Sequence, residues 1–159
     1  MNNCVYIGID NGCTGTIGII APDEEYIITT PIKKEQKQTK KKGNISRLDF
    51  DKFYDLLDMY PISFVAFERP LMNSHMFNAT ISGVRLYEAQ LVAVERLKIP
   101  HITIDSKIWQ REFFPLKCES GQTKELSNQV GRRLFPKLIN PYKDYDGLLI
   151  AKFIQLKQY

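Results

Sequence analysis

The apolar positions fall into short β-rich runs in the first third of the chain and into helically spaced patterns after it. Residues Val5–Ile9 and Thr16–Ile20 are apolar without polar alternation, the pattern of strands buried on both faces. Gly12 and Gly15 between them predict a tight turn, so the two runs are expected to pair as a hairpin. A turn at Ala21-Pro22-Asp23-Glu24-Glu25 leads into a third β-type run over 26–32, which completes an antiparallel meander. Residues 48–60 read as a helix, with Leu48, Phe53, Leu56 and Leu57 on one face and Pro61 as its stop. A buried strand follows at 63–67. Residues 71–78 are loop-like, and 79–97 carry the longest helical pattern, with Val84, Tyr87, Leu91 and Val94 in step. His101–Ile104 is a short strand, and Asp105-Ser106 cap a short helix containing Trp109. After a loop at 115–122, Leu126, Val130 and Leu134 mark a helix that stops before Pro136. The last helix begins near Asp144, with Leu149, Phe153 and Leu156 on its buried side.

Three meandering strands, followed by strands reached through helical crossovers, predict an α/β fold with a mixed sheet flanked by helices. The 159 residues suffice for one domain, 1–159, and show no internal repeat or linker. Hydrophobic content of 43% and charged content of 25% are those of a soluble globular chain. There is no membrane-spanning apolar stretch and no secretory signal pattern, so a cytoplasmic protein is expected. Cys4, Cys13 and Cys118 lack CxxC spacing, which argues against a disulfide framework or a structural zinc site.

The net charge of +4 is unevenly placed. Six lysines against Glu35 give residues 33–43 a local charge of +5, leaving the rest of the chain near −1. Such a run is expected to be a loop. It reads either as a solvated linker or as an arm for nucleic-acid phosphates, in which Lys40, Lys41 and Lys42 bind DNA.

Four acids stand out by position. Asp10 follows the run ending at Ile9, and Glu68 follows the run ending at Phe67. If the two strands are parallel neighbours, their carboxylates meet at one edge of the sheet. Asp144 and Asp146 open the last helix, where the dipole favours acids. Taken singly, Asp10 reads as a turn cap and the later pair as helix caps. Together, converging carboxylates repel one another unless a cation is present. Oxygen-only ligands suit Mg²⁺, with Mn²⁺ as a substitute. Such ions clamp a phosphodiester and activate water, so the pattern points to metal-dependent phosphoryl hydrolysis. His75 and His101 read as incidental.

Strand-Asp, strand-Glu and Asp-x-Asp opening the last helix, in this element order, resemble the RNase H-like fold. More narrowly, the chain resembles the RuvC-type Holliday junction resolvases and their phage branch. The stretches that carry the resemblance are 8–12, 67–73 (Phe-Glu-Arg-Pro-Leu-Met-Asn), 104–110, 133–136 and 143–151 (Lys-Asp-Tyr-Asp-Gly-Leu-Leu-Ile-Ala). The resemblance implies a five-stranded mixed sheet, and a homodimer that nicks two opposed strands of a four-way DNA junction during recombination and repair. It implies Mg²⁺ held by Asp10, Glu68, Asp144 and Asp146 as the catalytic set. Here the last two acids are two apart, against three in the bacterial pattern, so Asp146 leads into the helix and Asp144 reaches in from the preceding turn. Lys124 stands where the family tends to carry a basic residue facing the scissile phosphate; the other reading is a solvated helix lysine. Arg69, Lys124 and Arg132 are the further expected DNA contacts, and the 79–97 helix is the expected dimer surface. A rival resemblance lies in Asp10-Asn11-Gly12-Cys13-Thr14, which is similar to the phosphate loop of sugar kinases and actin-like ATPases. Those proteins enclose a nucleotide between two domains, and this chain has room for one, so no nucleotide cofactor is expected. Nucleases of the same fold acting on other branched DNA or on RNA–DNA hybrids are a second alternative.

Overall fold

The computed structural model describes residues 4–36, 44–115, 121–142 and 144–159. Its main sheet has five strands: β1 (Val5–Ile9), β2 (Thr16–Ile20), β3 (Glu25–Thr29), β6 (Ile62–Glu68) and β7 (His101–Ile104), in the order β3-β2-β1-β6-β7. β1 pairs antiparallel with β2, and β2 with β3, as the short turns dictate. β1 and β6 are parallel, as are β6 and β7, the latter pair being joined through a long helix. The expected mixed five-stranded sheet is therefore present.

The sheet separates two cores. On one face, Ile7, Ile9, Val65 and Phe67 pack against α1 (Phe50–Asp58) and α2 (Phe77–Arg96). On the other lies α5 (Asp146–Lys157), covered in turn by α3 (Ser106–Phe113) and α4 (Thr123–Leu134). A helix between a sheet and two other helices must be apolar nearly all round. Leu148, Leu149, Ile150, Ala151, Phe153 and Ile154 are accordingly all buried, whereas Leu156, expected inside, is exposed. No helix of the described residues is long and apolar enough to cross a membrane.

The structure corrects several boundaries. The β-type run over 26–32 breaks at Thr30-Pro31. The lysine-rich stretch is not simply a loop: β4 (Ile32–Gln36) and β5 (Asn44–Leu48) form a separate antiparallel pair, with Lys33 and Lys34 inside a strand. Leu48 consequently ends a strand, and the helix starts at Phe50. Lys40, Lys41 and Lys42 lie outside the described residues. α2 starts at Phe77, and its buried stripe is Leu86, Gln90, Ala93 and Val94; Val84, Tyr87 and Leu91 are only half-buried. In α4 the buried stripe is Ser127, Val130 and Gly131, with Leu134 turned outward.

Candidate active site

The register of β1 and β6 places the first two acids. Ile9 pairs with Phe67, so Asp10 and Glu68 are the next residues on neighbouring parallel strands. Strand alternation turns both away from the Ile9/Phe67 core and toward the face that α5 covers. The sequence between β1 and β2 fixes this end of the strand. Asp10 N–H donates to the Thr16 carbonyl at 2.9 Å, and Gly15 sits so close to the Asp10 carbonyl that a Cβ there would lie 2.1 Å from its oxygen.

The start of α5 brings the other two. Asp146 is its first residue, and the Asp144 Oδ1 accepts from the Asp146 N–H at 2.9 Å. Thr16 Oγ1 donates to the same oxygen at 3.4 Å and accepts from the Gly147 N–H at 3.2 Å, stitching the helix start to β2. Asp144, which precedes the N-cap Tyr145, thus holds the first N–H of α5 through an Asx turn and is also a member of the cluster. One carboxylate oxygen each from Asp10, Asp144 and Asp146 lie within 4.8 Å of one another. Glu68 stands outside this trio but lines the same cleft, of about 840 Å³.

The acids crowd one another, and a cation could relieve that crowding. Burial holds the Asp10 carboxyl well above the usual carboxylate range, and the charges of Glu68, Asp146 and Asp144 push it further. Burial raises Glu68 to about 7, opposed by its bond from Trp109 and assisted by Asp146 and Asp144. Burial and Asp144 raise Asp146 to about 6, while Ser127 and Lys124 pull it down. The trio of donors is all oxygen and crowded with negative charge, which fits Mg²⁺ or Mn²⁺.

A pH dependence follows. Glu68 and Asp146 bind more protons folded than unfolded, so stability is full below their unfolded values of 4.5 and 3.8. It is lost as pH rises through about 6 and 7. The metal-free protein is expected to melt at higher temperature at pH 5.5 than at pH 8, and added Mg²⁺ should raise the melting temperature more at pH 8. A metal-free melting temperature that is flat or rises from pH 5.5 to 8 would contradict the crowding of these acids.

Of the basic residues expected at DNA, Lys124 is exposed on the first turn of α4 and lines the cleft, where its charge lowers Asp10 and Asp146. Arg69 is ion-paired with Asp105. Arg132 is exposed in the last turn of α4 and does not line the cleft. Neither His75 nor His101 lines it. Sequence reasoning missed Thr16, which ties Asp144 to Gly147, and Trp109, whose Nε1 donates to Glu68 Oε2 at 2.8 Å. Asn11 was also missed; its amide donates to the Gly83 carbonyl at 3.2 Å and anchors the turn after Asp10 to α2.

Neither a protein-family model nor a curated protein matches this sequence. Solved structures do. Thermus thermophilus RuvC, in a structure with its Holliday junction substrate, aligns at a TM-score of 0.63 and 15% identity, covering 97% of this chain and 96% of that one. The chain has the RuvC fold. A second structure of Thermus thermophilus RuvC gives a TM-score of 0.59 at 15% identity over the same shares of both chains. Ydc2, a yeast mitochondrial Holliday junction resolvase, aligns at 0.45 and 16% identity, over 99% of this chain and 81% of that one. The RuvC fold is a form of the RNase H-like fold, so the expected fold class stands.

Proposed function

We propose that this protein is a Mg²⁺-dependent endonuclease that resolves four-way DNA junctions as a homodimer. The observation that carries the reading is the convergence of Asp10, Asp144 and Asp146 within 4.8 Å, with Glu68 in the same cleft, on a fold that spans nearly the whole of RuvC. The neighbour's own substrate, a Holliday junction, supports the choice of DNA substrate.

Asp10, Asp144 and Asp146, with Glu68 beside them, would hold the ion; when bound it polarises the scissile phosphodiester and acidifies the attacking water. Asp144 reaches the site while holding the first N–H of α5, so its orientation is set by the Asp146 N–H and the Thr16 hydroxyl. Lys124, at the rim, offers positive charge to the phosphate oxygens as negative charge builds up. Lys40, Lys41 and Lys42 are assigned to DNA phosphate contacts, as are Arg69 and Arg132, which do not line the cleft, with Arg69 first leaving Asp105.

The outer face of α2 supports the dimer. Phe77, Ile81 and Val84 follow one another at helical spacing on the side away from the core stripe, Val92 resumes the face beyond Glu88, and Met72 extends the apolar surface. An apolar helix face of this kind marks a protein contact. Size-exclusion chromatography with light scattering should return twice the monomer mass, and Ile81→Asp should return the monomer; a wild-type monomer at micromolar concentration overturns the dimer. The defining assay is cleavage of a synthetic four-way junction beside duplex, flap and RNA–DNA hybrid controls. Paired symmetric nicks that need Mg²⁺ and appear on the junction alone are expected. Preferential cutting of the hybrid or flap assigns the site to a different substrate.

A further inference from the structure

Every buried N–H needs an acceptor, and the indole of Trp109 finds it in a carboxylate. The ring is fully buried, and its Nε1 donates at 2.8 Å to Oε2 of Glu68, 41 residues away. Among the described residues this is the hydrogen bond Glu68 receives, so Oε1 is left for the cleft. We propose that Trp109 is a positioning residue: its N–H fixes Glu68 so that the other carboxylate oxygen is presented to the divalent ion. The proposal rests on the metal reading above and adds a residue to it.

Two features make the indole a fixed support. Its ring meets Phe114 edge-on, with centroids 5.6 Å apart and planes at 73°, inside the core formed with Leu149 and Ile150. The helix that carries it is also tied to the strand end that carries Glu68. Arg69 N–H donates to the Ile104 carbonyl at 2.8 Å, and the Arg69 guanidinium pairs with Asp105 at the start of α3. The end of β6 and the start of α3 are thereby held as one piece. Glu68 shares its cleft with three other acids, whose repulsion favours a side chain swung away toward solvent. A donor that keeps it in the cleft before the ion arrives leaves a shorter movement toward the Asp10, Asp144 and Asp146 trio and so lowers the reorganisation cost of binding.

The test compares two substitutions in one aromatic pair. Trp109→Phe keeps most of the packing and removes the N–H; Phe114→Leu disturbs the same pair and leaves the N–H in place. Mn²⁺ affinity by calorimetry is expected to fall about tenfold or more in Trp109→Phe, as when an outer-shell donor is lost, and by a clearly smaller factor in Phe114→Leu, which loosens the indole without removing its N–H. On junction DNA, kcat should fall in Trp109→Phe with KM unchanged. Because the chain has one tryptophan, wild-type emission should respond to Mg²⁺ with the half-saturation found by calorimetry. Wild-type Mn²⁺ affinity in Trp109→Phe overturns the proposal, as does an equal loss in Phe114→Leu. Should Trp109→Phe fail to fold, emission that stays constant through Mg²⁺ saturation overturns it. Wild-type protein that binds no divalent ion sinks the metal reading itself, whereas an intact metal effect without junction cleavage sinks only the substrate assignment.

Discussion

Asp10→Asn is expected to abolish junction cleavage while leaving junction binding intact and making the metal-free protein more stable. Asp10 ends the central strand, and its carboxylate oxygen lies within 4.8 Å of those of both Asp144 and Asp146. Asparagine keeps the shape and one oxygen but removes the charge that balances a divalent ion. The loss in kcat should be at least about 10²–10³-fold, the cost of removing one preorganised transition-state donor, because here a full charge is lost. Stability moves the other way. Burial and three neighbouring acids hold the Asp10 carboxyl well above the usual range, so its ionised form is strained in the folded state at neutral pH. A neutral side chain removes that strain, and the melting temperature at pH 8 without metal should rise by a few degrees. Binding to the junction depends on cations elsewhere and should survive. Cleavage at the wild-type rate in this variant removes Asp10 from the site. Loss of both binding and thermal stability would make it a structural residue.

The strand-end acids were legible because a carboxylate after an unbroken apolar run is out of place unless something uses it. The Ile9–Phe67 register then needed only parallel pairing to set Asp10 beside Glu68. The Asp144/Asp146 spacing was legible as a departure from the related pattern, but the reason it works was not. The Asp144 Oδ1 takes a backbone N–H and a hydroxyl from a strand 128 residues earlier, and nothing local announces that contact. Trp109 was missed for the same reason: a contact across 41 residues leaves no periodicity.

The β4–β5 pair was hidden by composition. Its lysines satisfy the rule for a charged loop as well as they satisfy an exposed strand pair, and the strands are short. α2 defeated the face assignment because it is apolar on two sides, one toward the sheet and one toward the outer groove, so a stripe drawn from apolar spacing falls between them. α5 defeated it differently. A helix buried nearly all round has no single stripe to find.

Gly8→Ala is expected to be strongly destabilising and to remove metal binding with it. Gly8 on β1 and Gly18 on β2 are directly paired in register, and together they make a flat place on the sheet where α5 sits. A Cβ on Gly8 would lie 2.2 Å from the Gly147 carbonyl oxygen and 2.3 Å from the Ala151 nitrogen. Both are backbone atoms of the helix, so no side-chain rotation relieves the collision. The helix must lift or β1 must bend. The cost should exceed the roughly 1–3 kcal/mol typical of an overpacked core. Asp146 is the first residue of that helix, and Asp10 lies two residues beyond Gly8 on the same face of the strand. Lifting α5 therefore separates the acids that are to share an ion. Gly83→Ala supplies the contrast. It sits in α2, and its added Cβ would meet only the Asn11 amide at 3.8 Å, an ordinary contact. Helix propensity should make it neutral to stabilising by up to about 1 kcal/mol. Thermal melts and Mn²⁺ calorimetry on the two variants decide the matter. A Gly8→Ala protein that melts with the wild type and still binds Mn²⁺ would mean that close seating of α5 on the glycine pair is not what assembles the site.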